Sequence, residues 1–285
     1  MAQSIRTALS PTEAAARVAA DRWRRIGALF IRYMLLIRRD PSRAIDMFYW
    51  PAIDVIIWGF VTLFVVRTQA DASGGPGFAA MFLGAVILWN LFFRCQQDIS
   101  VSFLDDVWAR SIVTLFGSPL SVPEFLGAMM LLGLVKLAMT MGFMALLALI
   151  FYSFNFFGLG FALLPFVANL IVLGWSVGLL AVAIIVRYGS RVAILAWSLP
   201  VLLQPVSSVF YPETVLPTWL RHVAQFVPAN HVFEGMRGVL LTGTFAWDRF
   251  AWSIGTNVLY MAAACAYFLW VFRTARRKGL LTKIR

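Results

Sequence analysis

The sequence is poor in charge for its length. Of its 285 residues, 13% are Asp, Glu, Lys or Arg, whereas 61% are hydrophobic. A soluble domain has roughly 25% charged and about 45–50% apolar residues, so a chain of this composition could not cover its apolar surface in water. The deficit excludes a soluble enzyme, a disordered chain and a cytosolic binding domain. It predicts an integral membrane protein.

Residues that usually carry chemistry are also scarce. The two cysteines, Cys95 and Cys265, lie in apolar stretches and imply no disulfide framework. The two histidines, His222 and His231, stand without a cluster of metal ligands, which also disfavours a serine hydrolase with a histidine base. Asp105–Asp106 is the only adjacent pair of carboxylates, too few for a Mg²⁺–diphosphate enzyme. We therefore expect no catalytic residue and no metal site.

Three further signals are missing. The sequence contains no G-x-x-x-x-G-K-[ST] phosphate-binding loop, so we expect no ATP hydrolysis by that route. No internal repeat or low-complexity linker divides the chain, which indicates a single domain over residues 1–285. The first twenty residues lack the apolar core of a cleavable signal peptide, so we expect them to stay in the mature protein.

Six apolar stretches are long enough to cross a bilayer, which takes about 20 residues in a helix. They cover residues 47–66, 78–104, 125–151, 158–186, 192–210 and 250–272. The sequence thus predicts an all-α membrane protein with six transmembrane helices. An even number of spans puts both termini on one side. Eighteen Lys and Arg residues fall on that side and only four in the opposite loops, which predicts cytoplasmic termini.

An amphipathic helix is predicted before the first span, over residues 22–39. Its apolar positions recur every three or four residues: Trp23, Ile26, Phe30, Tyr33 and Ile37. Arginines, among them Arg25 and Arg32, fill the other faces. This pattern is typical of a helix lying in the headgroup plane.

Four charged residues lie inside the predicted spans: Asp54, Arg94, Asp98 and Lys136. Asp54 and Lys136 fall well within the first and third spans, and Arg94 lies near the inner end of the second. A charge at such depth is costly, is usually paired or faces water, and indicates function by default. Two readings stay open for Lys136: it pairs with Asp54, or it snorkels to the interface. For Arg94 we favour snorkelling over contact with a substrate.

The segment between the fifth and sixth spans, residues 211–249, predicts two short amphipathic helices that dip into the outer interface. Glu234 and Arg237 are three residues apart on the second helix, so they can pair with each other or across a dimer. Glu213 belongs to the same region. Two hypotheses stand side by side: these helices form an outer gate that closes the path at rest, or they are a plain structural cap.

The order of these elements, together with two groups of local motifs, resembles the membrane subunit of type-2 ATP-binding-cassette (ABC) exporters. The first group is Trp108-Ala109-Arg110, Leu115-Phe116-Gly117-Ser118-Pro119-Leu120 and Glu124-Phe125-Leu126-Gly127. The second is Phe210-Tyr211-Pro212 followed by Leu216-Pro217 and Trp219-Leu220, then Pro228 and Arg237. The resemblance covers most of the chain from Trp23 to Phe272.

The resemblance implies a permease that dimerises and docks two copies of a separate nucleotide-binding ATPase. Residues 105–124 would then be the coupling segment that fits a groove on the ATPase, with the helix of residues 22–39 beside it. The residues assigned to this contact are Trp108, Arg110, Leu115, Phe116 and Pro119. The alternative is a cytoplasmic loop that rests on headgroups. The chain itself would bind no cofactor, since ATP and Mg²⁺ would sit on the partner.

The function predicted on this basis is export across a bacterial inner membrane. Its cargo is an amphipathic, lipid, lipid-linked glycan or drug-like molecule, taken from the cytoplasm or the inner leaflet. Lipids, the ATPase and a second permease copy are the expected partners; nucleic acid is not. The rival hypothesis is an ATP-independent secondary transporter or channel, although such proteins often show two related halves.

Overall fold

The computed structural model describes residues 11–68, 76–109, 111 and 120–277. Every regular element in these ranges is helical. The α-helices are α1 (Pro11–Arg39), α2 (Pro41–Thr68), α3 (Pro76–Trp108), α4 (Val122–Tyr152), α5 (Leu163–Tyr188), α6 (Leu195–Leu203), α7 (Thr218–Gln225), α8 (Pro228–Thr242) and α9 (Trp247–Arg277). Short 3₁₀ helices cover Phe156–Ala162, Ser190–Val192 and Glu213–Val215.

Five of the described helices are long and apolar enough to cross a membrane: α2, α3, α4, α5 and α9. They coincide with five of the six predicted spans. Several are longer than the apolar stretches that predicted them, because polar residues continue the helix at its ends. Helix α3, for example, runs on through Asp105–Asp106 to Trp108.

The sixth predicted span, residues 192–210, is not a continuous helix. Its α-helix, α6, has 9 residues and rises only about 13.5 Å at about 1.5 Å per residue, against a hydrocarbon core of about 30 Å. Pro200 lies inside α6 and Pro205 follows it; neither can donate a backbone hydrogen bond. Ser208 has a positive φ of 51°, which ends the helical path. The prediction of an unbroken helix here was wrong.

The broken segment nevertheless follows α3 for most of its length. The Ser100 hydroxyl of α3 donates to the Ala196 carbonyl at 3.1 Å. At the other end, Phe210 stacks on Phe82 of α3, with ring centroids 5.3 Å apart. Ser100 and Phe82 are about 27 Å apart along α3 at about 1.5 Å per residue.

Helices α3 and α5 form the centre of the bundle. Over the most apolar 18 residues of each helix, 72% of α3 and of α5 is buried inside the protein, against 22–28% of α2, α4 and α9. Gly174 and Gly178 of α5 let the two backbones approach. A Cβ added at Gly178 would lie 2.9 Å from the Gln96 carbonyl oxygen, and one at Gly174 would lie 2.5 Å from the Cβ of Cys95. Small residues four apart are a recurrent device for close packing of membrane helices.

Helix α1 covers the predicted residues 22–39. Tyr33 is buried, and Ile26, Phe30 and Ile37 pack on the same apolar cluster as α4. The predicted stripe therefore faces protein. Trp23 is the exception and is 69% exposed, because it lies at the edge of that stripe.

Candidate functional site

The first group of site residues lies where α1 meets the end of α3. Asp106 is buried there and accepts hydrogen bonds from Tyr33 Oη, from Arg32 Nη2 at 3.1 Å and from Ser111 Oγ at 2.6 Å. Burial, together with the Asp106 carboxylate, raises the pKa of Tyr33 well above its usual value, because both oppose a phenolate. Tyr33 is therefore a neutral donor.

A second contact joins α1 to the beginning of α4. Glu124 Oε1 accepts from Arg25 Nη2 at 2.6 Å and from Arg25 Nε at 3.1 Å. Its other oxygen accepts the backbone N–H of Ser121 at 2.8 Å, so the same carboxylate caps α4. The bond to Glu124 raises the pKa of Arg25.

These contacts hold both ends of the predicted coupling segment. Asp105 and Asp106 begin it and Glu124 ends it. Arg43 Nη1, at the start of α2, reaches Asp105 at 2.7 Å. Of the predicted ATPase-contacting residues, Trp108 is described: it is 55% exposed and stacks on Trp197 at 6.4 Å between ring centroids. The other four lie outside the described residues: Arg110, Leu115, Phe116 and Pro119.

The intramembrane lysine has a partner other than the one considered from sequence. Lys136 Nζ is 2.6 Å from Asp98 Oδ1 of α3, so neither pairing with Asp54 nor snorkelling describes it. Helix α4 turns Lys136 towards α3, whereas Asp54 of α2 has Asn90 and Arg94 as its polar neighbours. The sequence places Asp98 among the polar residues late in the second span. Sequence spacing could not indicate that Asp98 contacts Lys136, because the two residues lie on different helices.

Arg94 reaches back towards the beginning of α2. Its Nη2 donates to the backbone carbonyl of Asp46 at 3.1 Å, and its Nη1 lies 3.8 Å from the Asp46 carboxylate. Its side chain is largely buried. The side chain of Arg94 thus reaches Asp46 near the beginning of α2.

The predicted outer-gate residues meet in one network. Glu234 Oε1 accepts from Arg237 Nη1 at 2.6 Å and from the Glu213 backbone N–H at 2.8 Å. Arg237 Nη2 also donates to the carbonyls of Ser208 and Val209. The guanidinium is buried, which lowers the pKa of Arg237, although the charged form keeps these partners. Glu234 and Arg237 therefore pair within one helix.

Two further residues complete this outer network, and sequence reasoning missed both. Arg249 Nη2 pairs with Glu213 at 2.8 Å, and Asn230 Nδ2 donates to the other Glu213 oxygen at 3.1 Å. The bond from Arg249 is the main cause that lowers the pKa of Glu213. Nearby, burial lowers the pKa of His231, whose Nε2 lies 2.7 Å from the Gln225 carbonyl. The sequence signal that could have indicated this network was Arg249, a cation directly before the predicted last span.

Among the described residues, no group of three or more His, Cys, Asp or Glu could hold a metal ion. Long apolar helices, paired internal charges and short helices at one end define a multi-pass helical membrane protein. The sequence model of the family described as ABC-2 type transporter matches residues 24–241. The chain belongs to this family, which confirms the resemblance to type-2 ABC permeases. Comparison with curated proteins gives no match.

Proposed function

We propose that the chain is the permease subunit of an ATP-driven exporter, working as a homodimer with two copies of a separate ATPase. It would move an amphipathic, lipid, lipid-linked glycan or drug-like substrate out of the cytoplasm or inner leaflet. ATP and Mg²⁺ would bind the partner. The observation that carries the proposal is that α1 holds both ends of residues 105–124.

This arrangement suits transmission of force. A segment pushed by an ATPase would fold aside if its ends were free. Here Asp106 at one end and Glu124 at the other are each bonded to an arginine of α1. Movement of the segment would therefore carry α1, the end of α3 and the beginning of α4 together. Charge-assisted hydrogen bonds of this kind are stronger than neutral ones.

The outer network suits a closure that can open. Arg237 joins α8 to the end of the broken fifth segment through the Ser208 and Val209 carbonyls. Arg249 joins the last span to Glu213. The contacts of residues 196–210 along α3 support a sixth crossing in partly unwound form, which would place both termini in the cytoplasm. Helices α7 and α8 would then face outwards and act as the gate.

The test combines partner binding with coupling. The full chain, purified with its ATPase and reconstituted in vesicles, should couple ATP hydrolysis to movement of fluorescent lipids or dyes. The double substitution Arg110→Asp with Phe116→Asp should leave membrane insertion intact and uncouple hydrolysis from transport. Arg110→Lys with Phe116→Leu is the matched control and should retain coupling.

Two results would overturn the proposal. Normal ATP-driven transport by the double Asp variant would remove the coupling role from this segment. Uphill transport by the chain alone, without any ATPase, would establish the rival class of secondary transporter.

A further inference from the structure

A polar cavity of about 400 Å³ opens beside the junction of α1 and α2 and extends between α2, α3 and α4. Small-molecule sites are clefts of about 300–1,000 Å³, so the space is sufficient for a ligand head. Six charged side chains in its wall form three ion pairs. They are Arg43–Asp105 at 2.7 Å, Arg94–Asp46 at 3.8 Å and Lys136–Asp98 at 2.6 Å.

The cavity has an exposed mouth and a buried floor. At the mouth, the Asp46 side chain is 60% exposed and Asp40 adds a further carboxylate beside Arg43. At the floor, the side chains of Asp98 and Lys136 are 13% and 22% exposed. Lys136 lies about 21 Å along α4 from Val122, at about 1.5 Å per residue, which is the middle of the helix. Paired charges at this depth are typical of a substrate pathway.

The pairing restricts which charged ligand the floor can accept. A ligand with a single charge would have to separate Lys136 from Asp98 and leave one of them buried without a partner, which is strongly unfavourable. A ligand that carries both signs can replace each partner with its own opposite charge. Its anionic group would take the Lys136 ammonium and its cationic group the Asp98 carboxylate.

We propose that this cavity binds the zwitterionic head of an amphipathic substrate, with a phosphate and an ammonium group, such as a phosphoethanolamine head. The proposal rests on the export function above and narrows its substrate class. Met139, about one helical turn from Lys136 on α4, is 52% exposed. The acyl chains can therefore stay outside the bundle while the head enters.

The test is a change in head-group preference. The purified full chain in detergent is titrated with dihexanoyl phosphatidylethanolamine and with dihexanoyl phosphatidylglycerol, and dissociation constants are measured by calorimetry. The wild type should prefer the zwitterionic lipid by at least about tenfold, which is about 1.4 kcal/mol. Asp98→Asn leaves the Lys136 charge free and should reverse the preference towards the anionic lipid. The exchange Asp98→Lys with Lys136→Asp should restore the wild-type order.

Asp248→Asn is the matched control. Asp248 is an exposed carboxylate in the first turn of α9 and lies outside the cavity, so the head-group preference should not change. Free phosphoethanolamine should bind more weakly than the lipid, since it lacks the apolar contacts; equal affinity would overturn a lipid source. An unaltered preference in Asp98→Asn, or no preference in the wild type, would overturn the site itself.

The binding experiment needs no ATPase, which separates this inference from the proposed function. If the preference reverses but no ATP-driven export is found, the cavity assignment stands and the exporter assignment falls. If export is demonstrated while Asp98→Asn binds both lipids like the wild type, the exporter assignment stands and the cavity assignment falls.

Discussion

The bond from Tyr33 to Asp106 gives the sharpest test of how α1 is held. Replacing Tyr33 with Phe removes one donor to a buried carboxylate and leaves the ring in place. A hydrogen bond to a charged group contributes about 1.5–3 kcal/mol. Arg32 and Ser111 still bond to Asp106, so the loss should fall near the lower end of that range. Local opening of α1 should then become roughly tenfold more frequent.

Hydrogen exchange measures this opening directly. Amides of α1 in Tyr33→Phe should exchange roughly tenfold faster than in the wild type, because exchange of a protected amide follows the local opening equilibrium. Amides of α5, deep in the bundle, should exchange at the wild-type rate. In the reconstituted complex, the amount of substrate moved per ATP hydrolysed should fall.

The control is Tyr49→Phe, in which the altered ring is 53% exposed and outside this contact. It should change neither exchange of α1 nor coupling. If α1 in Tyr33→Phe exchanges within about twofold of the wild type, Tyr33 does not secure the helix and the reasoning fails.

Two other substitutions follow from the structure. Gly178→Ala should lower the free energy of unfolding of the detergent-solubilised chain by about 1–3 kcal/mol, because the new methyl group meets the Gln96 carbonyl. Gly142→Ala is the control, since its methyl group enters open space. Equal stability of the two variants in thermal unfolding would contradict the close crossing. The pKa of His231 is lowered in the folded protein. As the pH falls below about 6.5, His231 therefore binds a proton in the unfolded chain before it does so in the folded one. The free energy of unfolding then decreases with falling pH until the pKa of the folded state is reached. His231→Gln, which keeps a donor for the Gln225 carbonyl, should reduce the loss of stability between about pH 7 and about pH 5; an unchanged pH profile would exclude this role.

The long helices could be predicted from the sequence because apolar residues in windows of about 20 determine whether a segment crosses a bilayer. That rule identified α2, α3, α4, α5 and α9. It failed at residues 192–210. Because proline is tolerated in membrane helices, Pro200 and Pro205 did not by themselves predict a break in this helix. Whether a proline is accommodated or breaks the helix depends on neighbouring groups.

The pairing of charges could be predicted only where the partners share a helix. Glu234 and Arg237 are three residues apart, so their contact follows from helix geometry. Lys136 and Asp98 lie on different helices, and nothing in their spacing says that α3 and α4 are neighbours. The close α3–α5 crossing did leave a signal, the two glycines four residues apart at 174 and 178, which the hydropathy pattern alone does not weigh.

Because α3 and α5 pack closely where they cross, we expect the two helices to move together as one rigid unit. Helix α3 has 33 residues and is roughly 50 Å long at about 1.5 Å per residue. With α5 locked against it through Gly174 and Gly178, a tilt of roughly 5° at one tip would displace the opposite tip by roughly 4 Å over that length. A small displacement near Asp106 would thus be carried along the pair to Phe82 and Phe210, far from where it was applied.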